Sequence, residues 1–471
     1  AGGMSERGSE LRQGLDVAVL GAGAAGMMGA VAAAEIAGAG RRIAIFEKNE
    51  RPGIKVLVCG GGRCNFTNAG TTDFLIGQFG RNGRFLTPAL RHLDNEGLRD
   101  FFAELGVPSH VEHDGKVYPD SNQARSVVDA LVRRMKELGV EIFSGKDHAV
   151  ATLERSENGF VITTAAHVRY EARKVLLAVG GMSYQRMGTV GDGYRLAGAL
   201  GHTIVMPRPA IVGLIANEEW IKGLQGLAVR DVEVTMEVPA GWKGRPENRV
   251  SIHDILFTHF GLSGPAILNP SETIAELLEQ SATVRLHVDF ARHTTHEGAH
   301  AILRQWQQHH GKKRLRTMLA QAAPEILISA TSPDQTGISA HAADNRAGEG
   351  PLSLPARLAA KVCELEDVSP EQPCAILTSA QIHRLVERIK RCAFTISGTR
   401  GFKEAMVTAG GIALKEVEPR TMESKLVPGL FLTGEVLDLT GPSGGYNLQL
   451  AFSTGHLAGR TIGKELANGT A

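Results

Sequence analysis

One hexapeptide narrows the folds open to this chain more than any other feature. Gly21-Ala22-Gly23-Ala24-Ala25-Gly26 follows the apolar run Asp16 to Leu20 and opens a small-residue stretch, Ala24 to Ala37. A G-x-G-x-x-G turn between strand and helix belongs to a right-handed βαβ unit, and the apolar run Arg42 to Phe46 supplies its second strand. In such a unit Gly21 permits the tight turn, Gly23 lets a pyrophosphate approach the backbone, and Gly26 lets the helix pack on the strand. The first helical turn, at Ala24 and Ala25, then offers N–H groups and partial positive charge to the phosphates. Glu47, followed by Lys48, ends the second strand at the distance needed to bond ribose hydroxyls. An acid there disfavours a 2′-phosphate, so the expected dinucleotide is FAD or NAD rather than NADP.

Length and charge bound what else the chain holds. At 471 residues it exceeds one ordinary core and suggests two to four domains. Lys plus Arg number 51 against 50 for Asp plus Glu, so no net field recruits nucleic acid or an anionic membrane, and neither is an expected partner. The five cysteines are too few and mostly too far apart for a secreted disulfide scaffold. Asp16, Glu35, Arg41 and Arg42 interrupt the apolar region 15 to 46, so it does not read as a membrane span. Ala1 to Gly3, ahead of Met4, read as vector-derived, and no secretory pattern precedes the first strand. The expected compartment is the cytoplasm.

Helical spacing covers 88 to 105 and 122 to 138, and three short strands with an Asn158-Gly159 turn are expected as a meander between about 140 and 173. The parallel sheet resumes at Lys174 to Val179, and Gly191-Asp192-Gly193 suggests Asp192 as the N-cap of the next helix. From Pro207 the texture becomes antiparallel, with strands expected at 229 to 238, 250 to 257 and 283 to 290. Helical spacing returns over 295 to 328 and 352 to 391, around a polar, glycine-rich loop at 331 to 350. The expected organisation is a dinucleotide-binding domain at 1 to 206 and 401 to 471. It is interrupted by a β-rich domain at 207 to 294, a helical subdomain at 295 to 391 and a return strand at 392 to 400.

Two further glycine-rich stretches carry chemistry. Val58 to Asn68 includes Gly60, Gly61, Gly62, Arg63, Cys64 and Asn65, a loop able to lie under a diphosphate or a flavin ring. Near the other end, Leu430-Phe431-Leu432-Thr433-Gly434-Glu435 is a strand ending in glycine and an acid that could bond a ribityl hydroxyl. Gly441-Pro442-Ser443-Gly444-Gly445-Tyr446-Asn447-Leu448 then opens the last helix, whose N–H groups could face the pyrimidine edge of a flavin.

Taken with GGMSYQRMGTVGDGY, which begins at Gly180 and Gly181, and FTHFGLSGPAIL, these stretches resemble the HI0933-like or BaiN-like family of NAD(P)/FAD-dependent oxidoreductases, also called the aminoacetone oxidase family. The likeness spans nearly the whole chain. It implies a glutathione-reductase-like α/β FAD-binding Rossmann domain with a β-rich and a helical insertion, and FAD as the tightly held, non-covalent cofactor. By position it implies Gly21, Gly23 and Gly26 at the pyrophosphate and Glu47 at the adenosine ribose. Gly62 to Asn65 would lie beside the flavin, Gly434 and Glu435 along the ribityl diphosphate, and Asn447 and Leu448 at the ring. NAD(P)H would be at most a transient hydride donor, and the substrate a small organic molecule.

Cys59 and Cys64 share the spacing of the redox pair in flavin disulfide reductases, the main rival reading. Three glycines fill the interval, no second dinucleotide fingerprint follows, and the family pattern has Ser where this chain has Cys59. Cys64, Asn65 and His259 remain the catalytic candidates. His253 reads as scaffold, and His309 and His310 as solvated; no metal site is expected. A third reading is a non-catalytic flavin sensor or accessory protein.

Overall fold

In the computed structural model residues 11–242, 249–320, 326–327 and 352–469 are described. They form two units: one holds the described residues up to Pro209 together with those from Ala405 on, and the other is Ala210–Glu404. Among the described residues no helix is long and apolar enough to cross a membrane.

The first unit has a Rossmann-type mixed sheet. Strand β1 (Leu11–Leu20) is fully buried over Val17 to Leu20, helix α1 (Ala24–Ala37) is buried from Ala24 to Ala34, and β2 (Ile43–Glu47) is buried throughout. Strands that are apolar without alternation need cover on both faces, as parallel strands receive from their crossover helices. β1 pairs in parallel with β2 (Val17 opposite Ile43) and with Arg169–Leu177 (Val19 opposite Leu176). Glu141–Ser144 extends the sheet beyond β2, and Leu430–Leu432 adds to Arg169–Leu177, both in parallel. The chain's far end is thereby a neighbour of the first strand's partner.

The meander expected from about 140 differs in its first strand. Glu141–Ser144 belongs to the parallel sheet, while Val150–Ser156 and Gly159–Thr164 form the antiparallel arm. Arg169–Leu177 serves both arrangements, its outer half pairing with Gly159–Thr164 and its inner half with Leu430–Leu432. The helix expected over 88 to 105 is two, Gly83–His92 and Asn95–Glu104, because Asp94 accepts from Gly97 N at 2.9 Å and starts a new helix.

Helix α1 is apolar all round because it lies between the sheet and the C-terminal helix Tyr446–Ala467. Glycines let those two helix backbones touch. A Cβ on Gly455 would lie 2.2 Å from Ala25 O, and one on Gly459 2.2 Å from Gly29 O.

In the second unit six strands pair antiparallel in a closed ring. The order is Val250–Phe257, Gly261–Ser263, Leu214–Ala216, Cys392–Thr399, Val284–Asp289, Leu227–Met236, and back to Val250–Phe257. Closure removes free edges. Helices His296–His309, Ala356–Leu365 and Ser379–Lys390 share one hydrophobic core with this ring. The stretch 331 to 350 lies outside the described residues.

Candidate dinucleotide site

The glycine turn after β1 opens into a cavity of about 360 Å³ within the first unit. Gly21 takes φ +94°, a conformation in which glycine meets no Cβ penalty, and its N–H donates to Phe46 O at 2.8 Å. Gly23 precedes α1 in an extended conformation, no side chain caps the first helical turn, and Ala24 and Ala25 line the cavity. A Cβ on Gly23 would meet no protein atom within 4 Å, so the space before it is free for a ligand. Gly26 points the other way: its Cβ would fall 1.9 Å from Gly21 O.

Glu47 is buried beside this turn. Its Oε2 accepts from Ala22 N at 2.9 Å, and its Oε1 accepts from Asn49 N and Asn49 Nδ2, both at 2.8 Å. Lys48 Nζ donates to Asp192 at 2.5 Å, and both residues line the cavity. Asp192 is not the N-cap expected of it. Gly191, at φ +86°, occupies that position, and Asp192 is the first helical residue, where its charge still favours the helix dipole while it holds Lys48.

The far end of the chain supplies the opposite wall through Thr433, Gly434, Glu435, Asn447 and Leu448. Glu435 is held by three residues: Oε1 accepts from Ser183 Oγ at 2.7 Å and Thr408 N at 2.8 Å, and Oε2 pairs with Lys55. Lys55 also donates to Ser183 Oγ at 2.6 Å. Burial, and then the charge of Glu435, push the Tyr194 phenol far up, so it stays neutral. Thr433 Oγ1 is fully buried with no hydrogen-bond partner among the described residues. The free space before Gly23, with no protein side chain capping the first turn of α1, fits an extended dinucleotide.

The middle glycine loop stands differently. Cys59 lines the cavity and donates its thiol to Lys55 O at 3.2 Å. Gly61, Gly62, Arg63, Cys64 and Asn65 are not among the cavity's walls. Arg63 pairs with Glu112 at 2.5 Å and lies 3.9 Å from the centre of the Tyr118 ring. Cys64 is wholly buried at φ +63°, and burial, with Cys59 beside it, pushes its thiol well up. One thiol faces the cavity and the other the core, which does not favour a cycling dithiol.

Asn65 fastens two loops. With its amide oriented to satisfy both ends, the oxygen accepts from Gly445 N at 3.0 Å and the nitrogen donates to Thr67 O at 2.9 Å. A Cβ on Gly445 would lie 2.3 Å from Thr67 O. The Asn447 amide is likewise turned into its own loop, accepting from Gly441 N at 2.9 Å and donating to Gly441 O at 2.8 Å. Gly180 lines the cavity, whereas a Cβ on Gly181 would meet Thr408 Oγ1 at 2.5 Å. His259 belongs to the second unit, edge-on to Phe260 at 5.1 Å.

Lys55, Asn49 and Thr433 were not assigned from sequence. A lone cation inside Ile54-Lys55-Val56-Leu57-Val58, now helix α2 (Ile54–Val58), was the available sign for the first.

Walls drawn from both ends of the chain around the open space before Gly23 define a Rossmann-type dinucleotide-binding fold. Residues 15–461 match the HI0933-like protein Rossmann domain, and the chain belongs to that family, whose members are flavoprotein oxidoreductases. It is 32% identical over 444 residues, 94% of this chain and 98% of the relative, to the 3-dehydro-bile acid delta(4,6)-reductase of Clostridium scindens. It is 27% and 28% identical to the ribosomal RNA dihydrouridine synthases of Haemophilus influenzae and Escherichia coli. Those alignments cover 95% and 93% of this chain and 98% and 96% of the relatives.

Proposed function

We propose that this chain is an FAD-dependent reductase of a small unsaturated molecule, with a glutathione-reductase-like cofactor domain that holds FAD non-covalently and takes hydride from NAD(P)H transiently. The observation that carries the reading is the cavity in front of Gly23, free of protein atoms and flanked by the fixed carboxylate of Glu47. The first turn of α1 would hold the diphosphate, Glu47 the adenosine ribose, and the Gly434–Glu435 arm the ribityl side. FAD supplies hydride exchange there, and the protein supplies position and electrostatics. Lys55 keeps Glu435 turned to Ser183 and Thr408, so the arm stays in place as the site fills. Leu448, Leu439 and Met406 keep that end of the cavity apolar and limit water.

The C. scindens relative, named for reduction of a 3-dehydro bile acid, supports an unsaturated carbonyl compound as acceptor. The two relatives named for ribosomal RNA support a second reading, in which a uracil base is the acceptor. One experiment separates them. Protein freed of oxygen is mixed with NADH or NADPH, the flavin band is followed, and reoxidation is then measured with a steroid enone or with ribosomal RNA lacking dihydrouridine. Reoxidation by the enone alone is the expected result, and reoxidation by RNA alone gives the second reading. Protein that releases no FAD on denaturation overturns both.

A further inference from the structure

We infer that Asn49 sets the preference of this site for a dinucleotide over a mononucleotide by fixing the carboxylate of Glu47, an inference that rests on the flavin-dinucleotide reading above.

A glutamate at a strand end is free to turn about three side-chain bonds, and a ligand that needs it in one pose must bear the cost of ordering it. Here the ordering is built in. Two donors of a single residue, Asn49 N and Nδ2, meet Oε1 at 2.8 Å each, while Ala22 N meets Oε2 at 2.9 Å. A carboxylate has about four acceptor directions, so three donors leave room for a ligand hydroxyl. The same Nδ2 donates to Met187 O at 3.1 Å, and Gly188 lies so close that a Cβ there would come within 3.0 Å of the Asn49 amide. On its other side Asn49 O accepts from Gly145 N at 2.8 Å. Asn49 therefore joins Glu47, the 187–190 wall and the turn at Gly145 that leads to Ala149 and Val150, and Glu47, Met187 to Val190, Ala149 and Val150 line the cavity.

In a βαβ unit the acid ending the second strand meets the ribose of the adenosine half. A mononucleotide stops at its phosphate and leaves this end of the cavity unfilled. Loosening Glu47 must weaken FAD while leaving FMN as it was.

The test titrates flavin-stripped full-length protein with FAD, with FMN, and with ADP as a competitor, for the wild type and for Asn49→Ala, Asn49→Asp and Asn49→Ser. Asn49→Ala should weaken FAD and ADP about tenfold, the scale of one hydrogen bond to a charged group. Asn49→Asp sets carboxylate against carboxylate and should weaken them about a hundredfold. Asn49→Ser keeps a short donor and should lie nearer the wild type. FMN affinity should stay within about twofold in all three, since no contact to it has been removed. Equal losses for FAD and FMN would show a merely structural role and overturn the inference, as would unchanged FAD affinity in Asn49→Asp. Wild-type protein that binds neither flavin overturns the dinucleotide reading itself, a result distinct from either.

Discussion

At Gly23 the protein leaves space and at Gly26 it leaves none, so two glycines of one motif make opposite predictions. Gly23→Val should purify without flavin, as absorbance after denaturation would show, and melt at the temperature of flavin-stripped wild type, since only the cofactor's own stabilisation is lost. Gly26→Ala forces a carbon against the Gly21 carbonyl and should lower stability by about 1–3 kcal/mol in thermal or denaturant unfolding. Cys59→Ser keeps the bond to Lys55 O and should leave turnover nearly intact, whereas loss of turnover with dithiol reactivity would restore the disulfide reading. The glycine turn and the acid after it were legible because their spacing alone dictates backbone geometry. The roles of Asn65 and Asn447 were not. The Asn65 amide meets Gly445 and Val117, far away in sequence, and the Asn447 amide turns back on Gly441 and Pro442, a loop geometry that composition does not dictate. Asn447→Asp would set a carboxylate against Gly441 O and Pro442 O and dismantle the loop.

Between α1 and the C-terminal helix the contact depends on missing side chains. Gly459→Val would drive its side chain into Gly29 O and should cost several kcal/mol and the cofactor together, read by unfolding and by bound flavin. The spacing of Gly455, Gly459 and Gly463 is visible in sequence but reads as helix weakening until the partner helix is known. The C-terminal helix also carries His456, whose Nδ1 lies 3.0 Å from Nε2 of His92, with Phe101 edge-on and Arg460 and Lys464 near. Burial, then His92 and Arg460, lower His456 to about 4, and burial lowers His92 as well. Both rings are therefore neutral in the fold and would take protons first in the unfolded chain. The stability they lend is complete above about pH 6.5 and drains away as pH falls toward 4, by on the order of 2 kcal/mol. Melting temperatures measured across that window should fall, and His456→Phe should flatten the dependence.

For the molecule as a whole, near-neutral charge makes one more expectation. Reduction of an uncharged small acceptor should change little when ionic strength is raised about tenfold, whereas action on RNA would weaken steeply as counterion release is suppressed. The parallel sheet of the first unit was readable from its uninterrupted apolar runs. Closure of the second unit's ring was not, because each strand's partners are set by long-range pairing that local alternation does not encode.

The two-ended construction of the cavity also sets an order in time. A ribosome makes β1, α1 and β2 first, but the wall carrying Thr433 to Leu448, and the helix that covers α1, emerge only after the whole of Ala210–Glu404 has been synthesised. Until then the nascent chain presents the α1 face of Ala25, Gly29, Ala32, Ala33 and Ile36 without the helix whose Gly455, Gly459 and Gly463 pack against it. On the flavin reading proposed above, cofactor loading would therefore come late in the life of this polypeptide. A chain cut anywhere between Glu47 and Thr433 would keep the glycine turn and its acid while lacking the far wall of the cavity.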